Sequence, residues 1–460
     1  MPNEIRFLAA QWAELVEHVL ADGDEHAAIL ICGSLTTGCH TALLVREVIR
    51  FTDEDMLDRS ALHLSVDPVS LARAAKRARQ QDATMVVCHS HPFPGAVGPS
   101  PLDLDTEAEL CGRALLARLA PRPVGALIVG PDGVSARLYS SEAPEPARVR
   151  VLSDRITFAD YSAAAMELDR ERHDRQVRAW GPKGQQSLAM VHAVIVGVGG
   201  TGSQVATQLA HLGVEQITMV DPDLVEETNL SRILGSTPSD VGRPKVDVVA
   251  AAVHRINPQA QITRIGESVL DIDPEPLGFA DVIFCCTDGH GSRSLLTELA
   301  HQYCVPVVDM GVEITTTSDG TVTAGGGVRV LLPGRPCLHC LGTLDPALVR
   351  EEYLTDDERA HEHRHGYLRG SGEPTPSVVC LNGVVASLAV AEFCQLFTGV
   401  LGRGRTRLLY RANERALTTA ASSRNPSCHI CGSHGVFARG DASVLPTRWR
   451  GDTLPGCAAG

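Results

Sequence analysis

Apolar positions recur at helical spacing between residues 10 and 20 (Leu15, Val16, Val19, Leu20). They are followed by a short, unbroken apolar run, Ala27 to Cys32, that stops at Gly33. The first pattern predicts an amphipathic helix and the second a buried strand. Further strand-like runs lie at 42–49, 84–88 and 124–129, with a Pro/Gly-rich loop between Pro92 and Pro101. The front segment therefore reads as a mixed α/β unit over residues 1–150. Ser140 to Arg150 (SSEAPEPARVR) has linker composition, and a charged helical stretch, Met166 to Arg178, follows.

From His192 the pattern becomes strand, glycine turn, helix, strand: HAVIVGVGG, TGSQVATQLAHLG, VEQITMVD. This is a βαβ unit. Apolar runs at 281–286 and 305–309 continue the alternation expected of a mostly parallel sheet. The second unit is expected over 151–435. The Gly/Ser/Pro-rich stretch after Cys431 reads as a loose tail, 436–460.

Composition narrows the function classes. The chain has 460 residues, 44% hydrophobic and 21% charged, with a formal charge of −14. An acidic average surface argues against broad binding to nucleic acid. No uninterrupted apolar stretch of about 18 residues suggests a membrane helix, and the charged start does not resemble a signal peptide, so a cytoplasmic location is expected. Four of the 14 cysteines form two CxxC pairs, Cys337/Cys340 and Cys428/Cys431, which points to metal rather than to a disulfide framework.

Two strings carry chemistry. In the front unit His89-Ser90-His91-Pro92 is followed after seven residues by Ser100-Pro101-Leu102-Asp103. Histidines at i and i+2 on a strand end face the same side, and an aspartate at a helix start can complete three ligands to Zn²⁺, leaving a fourth position for water. Such a vacancy lets the metal acidify water and polarise a carbonyl. In the rear unit Gly197, Gly199, Gly200 and Gly202 form GxGxxG between strand and helix, where amides can face a phosphate. Asp221 ends the next strand, placed for ribose hydroxyls. Alone this would favour a dinucleotide. Asp223, Asn229, Arg232 and Lys245 add a density of charge that hydride transfer does not need but ATP-driven activation of a carboxylate does.

The front string closely resembles the JAMM motif of the JAB/MPN metalloproteases, which remove ubiquitin and ubiquitin-like proteins. That resemblance implies His89, His91 and Asp103 as zinc ligands and Ser100 as a holder of the oxyanion. It also implies an upstream glutamate as general base. Glu25 stands there, one residue farther from Gly33 than in some relatives, which implies a bulge or shift; Glu47 is the second choice. The rear unit is similar to the E1/ThiF/MoeB superfamily, Rossmann-like enzymes that adenylate the C-terminal glycine of a ubiquitin-like or sulfur-carrier protein. By that resemblance Asp221 meets the ribose, Arg232 and Lys245 the phosphates, Asp288 holds Mg²⁺, and Asn229 belongs to the nucleotide pocket. Arg175 matches an arginine given across a homodimer interface. The paired cysteines would hold one structural zinc.

The implied function is thus ATP- and Mg²⁺-dependent adenylation of a glycine-ended protein, joined to zinc-dependent trimming or deconjugation. An E2-like protein is a further expected partner. The second reading is adenylation of a peptide or small carboxylate beside a non-catalytic JAB scaffold. One departure stands out: residues 341–379 contain no cysteine to take the acyl group, and the thiol nearest to them, Cys380, opens an apolar element where packing is the simpler role. That same segment holds His361, His363 and His365, which read as a solvated loop rather than a metal site.

Overall fold

A computed structural model describes residues 3–38, 40–159, 169, 171–317, 319–364, 376–402, 404 and 407–449. Two compact units separate. The first comprises Met1–Ala165 with Gln302–Cys304 and Val436–Val444; the second comprises Met166–His301, Val305–Gly435 and Leu445–Gly460.

The first unit is built on ten strands: β1 (Asn3–Leu8), β2 (Ala27–Thr37), β3 (His40–Arg50), β4 (Met56–Ser60), β5 (His63–Val66), β6 (Thr84–Ser90), β7 (Val124–Gly130), β8 (Gly133–Tyr139), β9 (Glu145–Leu152) and β10 (Thr157–Phe158). Its helices are α1 (Ala9–Val19), α2 (Pro68–Gln80), α3 (Pro101–Glu107) and the short α4 (Leu116–Leu119). Eight strands run in the order β1-β3-β2-β6-β7-β8-β9-β10, and an additional β1–β9 pairing closes the sheet on itself. Closure corrects the expectation of a linker at 140–150, because Ala147 to Leu152 pair in parallel with Asn3 to Leu8. The Pro and Glu content that suggested a linker sits at the exposed start of β9, while its second half is buried.

The unbroken apolar run of β2 has a direct explanation. Ala28, Leu30 and Cys32 enter one core with Leu15 and Val19 of α1. Ala27, Ile29 and Ile31 enter a second core with Ala74 and Ala78 of α2. A strand covered on both faces needs no polar alternation. On the face of β1 and β9 opposite the core residues Ile5, Phe7, Val149 and Val151, Glu4 is buried and meets Arg148 (Nε, 2.7 Å), Arg150 (2.8 Å) and Arg6 (2.9 Å). Burial alone would raise its carboxyl, but the three guanidinium groups outweigh that and hold it well below the ordinary carboxylate range.

The second unit contains α5 (Asp174–Ala189), β11 (His192–Val196), α6 (Gly200–Leu212), β12 (Gln216–Val220), α7 (Lys245–Ile256), β13 (Gln261–Ile265), β14 (Val282–Cys285) and α8 (His290–Gln302). These are followed by β15 (Val307–Thr316), β16 (Val322–Leu331), α9 (Pro346–Tyr353), α10 (Asp356–Arg364), α11 (Val379–Thr398), β17 (Arg407–Arg411) and β18 (Ala416–Thr419). The sheet order is β13-β12-β11-β14-β15-β16-β17-β18. Pairing is parallel from β13 to β15 and antiparallel beyond. The expected parallel sheet is therefore half of a mixed one.

Among the described residues α11 alone is long and apolar enough to cross a bilayer, by length and composition. Here it packs on α6, β15 and β16, burying Val385, Ala386, Ala389 and Phe393. The stretch from 436, expected as a loose tail, is packed in part: Asp441 N–H donates to Ser34 O at 2.7 Å, and Arg448 N–H to Leu270 O at 2.7 Å. Of the charged stretch expected as a helix at 166–178, residues 166–168 and 170 lie outside the described residues, and regular helix begins only at Asp174.

Candidate functional site

The parallel half of the second sheet places its chemistry at the carboxyl ends of β11, β12 and β14, where open α/β sheets bind ligands. Gly197 follows β11 directly, with a φ of +87° that is open to glycine at little cost. The chain then turns into α6. A side chain at Gly202 would collide with the Gly197 carbonyl oxygen, and one at Gly200 with the Asn382 amide of α11. A Cβ at Gly199 meets nothing within 4 Å. Three of the glycines are thus demanded by the protein's own packing, and Gly199 leaves its space to the cleft.

Asp221 follows β12. Its carboxylate accepts from the amides of Val198 (2.7 Å) and Asp223 (2.9 Å), which tie the glycine turn to the end of β12. Burial pushes its carboxyl above the ordinary value, against the pull of those amides and of Lys245. Lys245, the first residue of α7, donates to Asp223 Oδ2 at 2.6 Å. Arg232 donates to the Thr228 carbonyl at 2.8 Å. Together with Asp288, in the loop after β14, these residues line one cleft of about 480 Å³.

Not every expected residue reaches it. Asn229 is buried and does not line the cleft; its amide oxygen accepts from Glu226 N–H at 3.3 Å and its nitrogen lies 3.4 Å from Thr228 Oγ1. Arg175 is exposed on α5, away from the cleft of its own chain. Cys380 is exposed on the first turn of α11, which corrects the expectation that it packs in a core. Helix burial begins with Asn382, a buried amide in an otherwise apolar run that also lines the cleft. That amide was a legible signal. Ser268, Thr287 and Glu352, also on the lining, carry no sequence pattern that would have marked them. His361 is exposed on α10, whereas the side chain of His363 and the whole of His365 lie outside the described residues.

The two CxxC pairs converge. Cys337 and Cys428 have Sγ atoms 3.6 Å apart, Cys340 and Cys431 3.4 Å, and all four lie within 4.8 Å of one another. Tetrahedral Zn–S bonds of about 2.3 Å separate sulfurs by about 3.8 Å, so these four fit a closed zinc site.

The family model described as "ThiF family" matches residues 173–430, more than half of the chain. The chain belongs to the ThiF family. It is 28% identical over 279 residues to the SAMP-activating enzyme E1 of Haloferax volcanii, covering 60% of this chain and 93% of that protein. It is 29% identical to the molybdopterin-synthase adenylyltransferase of Escherichia coli (57% of this chain, 96% of that protein). It is 27% identical to the sulfur carrier protein ThiS adenylyltransferase of the same organism (54% and 89%). The cleft described above falls within the matched ThiF residues.

A second cluster belongs to the first unit. His89, on β6, and His91, just past it, converge with Asp103 on the first turn of α3. Asp103 Oδ1 lies 3.4 Å from His89 Nε2 and Oδ2 3.4 Å from His91 Nε2. His89 Nε2 is cut off from solvent and makes no hydrogen bond, which fits a nitrogen that serves as a metal ligand. His89 above all, then the Ser100 amide and hydroxyl, hold the Asp103 carboxyl well below its ordinary range. Ser100 caps α3: its hydroxyl accepts from Asp103 N–H at 3.1 Å and its N–H donates to Asp103 Oδ2 at 2.7 Å.

Glu25 is buried beside this cluster. Desolvation raises its carboxyl, with His89 lowering it and Asp103 raising it further. Glu47 is instead engaged by Arg77 at 2.5 Å. The β2–β3 ladder shifts register between Ile31 and Cys32, but the residue skipped is Arg46 of β3, and β2 pairs with β6 without a break from Ala27 to Cys32, so the bulge expected between Glu25 and Gly33 does not lie in β2.

Proposed function

We propose that the second unit adenylates the C-terminal glycine of a ubiquitin-like or sulfur-carrier protein. The observation that carries this reading is a single cleft in which the glycine turn, Asp221, Arg232, Lys245 and Asp288 meet. One oxygen of the glycine carboxylate attacks the α-phosphorus of ATP. The bond to the bridging oxygen breaks, and an acyl adenylate and pyrophosphate result. Arg232 and Lys245 neutralise charge gathering on the phosphoryl oxygens, Asp221 takes the ribose hydroxyls, and the turn at Gly199 admits a phosphate close to backbone amides. Asp288 would hold Mg²⁺, which supplies further neutralisation when bound. Two of the relatives named above are a SAMP-activating enzyme and a sulfur carrier protein adenylyltransferase, which supports a protein substrate. ATP–pyrophosphate exchange, with and without a glycine-ended ubiquitin-like protein, tests the reading. Exchange that ignores such a protein but responds to short peptides would replace it with the peptide-activating alternative.

For the first unit we propose a zinc-dependent peptidase or isopeptidase of JAB/MPN type acting on the same partner. The family match covers only the second unit, so this reading is supported by the convergence of His89, His91 and Asp103 beside buried Glu25. Zinc there would polarise the scissile carbonyl, while Glu25 takes a proton from water. Cleavage of a linear or isopeptide-linked glycine-ended fusion, lost in His89→Ala, is the test. A partner that receives the adenylate, E2-like or not, follows from the absence of cysteine at 341–379, with Cys380 as the exposed thiol nearest that segment. A homodimer would give Arg175 its role, and retention of the chain in the cytoplasm is part of the same reading.

A further inference from the structure

One wall of the ThiF cleft is closed by a residue that nucleotide chemistry does not itself require. Glu352, in the last turn of α9, lays its carboxylate on the first turn of α8. Oε1 accepts from His290 N–H at 2.6 Å and Oε2 from Gly291 N–H at 2.9 Å. Amides at a helix start lack partners within the helix, and a carboxylate there also opposes the helix dipole. The local glycines make room: a Cβ at Gly289 would come within 2.7 Å of Glu352 Oε2, and one at Gly291 within 2.9 Å of Glu352 Cβ. The Tyr353 hydroxyl adds a bond to the Gly291 carbonyl at 3.3 Å.

Glu352 is held from behind. Arg448 donates through Nη1 to the Glu352 carbonyl at 3.1 Å, while Nε and Nη2 grip the Asp271 carboxylate at 2.7 and 2.5 Å. The stretch near the end of the described chain and the segment after the first cysteine pair are thereby latched to the turn that carries Asp288, two residues before His290.

We propose, on the basis of the adenylation reading, that Glu352 is a positioning residue for Asp288 and that Arg448 positions Glu352. By fixing the α8 entry, Glu352 sets the carboxylate that meets the divalent cation of Mg-ATP. It touches no reacting atom itself. A carboxylate that merely blocked the cleft would have the opposite sign of effect, since its removal would strengthen binding.

The test uses the full chain and the variants Glu352→Ala, Glu352→Asp, Arg448→Met and the Ala/Met double variant. Calorimetric titration with Mg-ATP, and with ATP in a chelator, is joined to hydrogen exchange of the 286–293 peptide and to pyrophosphate exchange at varied Mg²⁺. Expected for Glu352→Ala are an Mg²⁺ half-saturation raised about tenfold, as when a group orienting a metal ligand is lost, metal-free ATP binding unchanged, and faster exchange at His290 and Gly291. Glu352→Asp recovers part of the loss, and the double variant is no worse than Glu352→Ala. Unchanged or tighter Mg-ATP binding in Glu352→Ala overturns the proposal. So does an equal loss with and without Mg²⁺, which would mark a purely structural role. Failure of the wild-type chain to bind Mg-ATP overturns the adenylation reading and this proposal with it.

Discussion

Lys245 Nζ lies 2.6 Å from Asp223 Oδ2, a pair on the lining of the cleft that joins residues 22 apart in sequence. The ammonium is largely buried, and the carboxylate is mostly exposed. A triphosphate entering the cleft competes with Asp223 for this cation. Lys245→Ala is therefore expected to lower kcat/KM for pyrophosphate exchange by roughly 10²–10³-fold, the scale of losing one preorganised charge partner. An activity within about threefold of wild type would remove Lys245 from the phosphate site.

The glycine turn offers a contrast within four residues. Gly202→Ala sets a methyl group against the Gly197 carbonyl and is expected to unseat α6, with a fall in melting temperature and no nucleotide binding. Gly199→Ala faces open space and is expected to melt as the wild type does while binding ATP at least tenfold more weakly, because the methyl group takes the space of a phosphate. Equal melting and equal ATP affinity for Gly199→Ala would mean that no phosphate approaches there.

Metal analysis of the full chain should return two zinc ions. Cys337→Ser is expected to lose one together with stability, since a four-thiolate site holds distant chain segments. His91→Ala is expected to lose the other and to leave pyrophosphate exchange intact. A single zinc in the wild type, unaffected by His91→Ala, would empty the first-unit site.

Glu4 links pH to stability. Its folded-state carboxyl lies well below the ordinary range, so its contribution is fully present above the unfolded value of about 4.3 and is lost as pH falls from there through the folded value. Glu4→Gln leaves three guanidinium groups without their buried counter-charge. It is expected to destabilise the first unit by about 3–5 kcal/mol at neutral pH. The variant should also show a shallower loss of stability below about pH 4 than the wild type. Parallel acid unfolding curves would show that Glu4 does not contribute in this way.

Local chain properties determined a good deal: the βαβ unit around Gly197, the double-buried strand at 27–32, the paired cysteines and the histidine string all depend on spacing, periodicity and side-chain type, which a sequence states outright. Tertiary structure decided what depends on encounters between distant segments. The strand at 145–152 begins in linker-like residues and acquires its role because β8 and β1 offer edges to pair with. The same resemblance singled out Asn229, Arg175 and Lys245, yet the turn after residue 226 directs the Asn229 amide to its own backbone, and α5 leaves Arg175 on the surface. Glu352 is one acid in a charged stretch until α9 sets it on the open amides of α8. Burial and hydrogen-bond geometry are properties of such meetings, whereas sequence spacing constrains only neighbours along the chain.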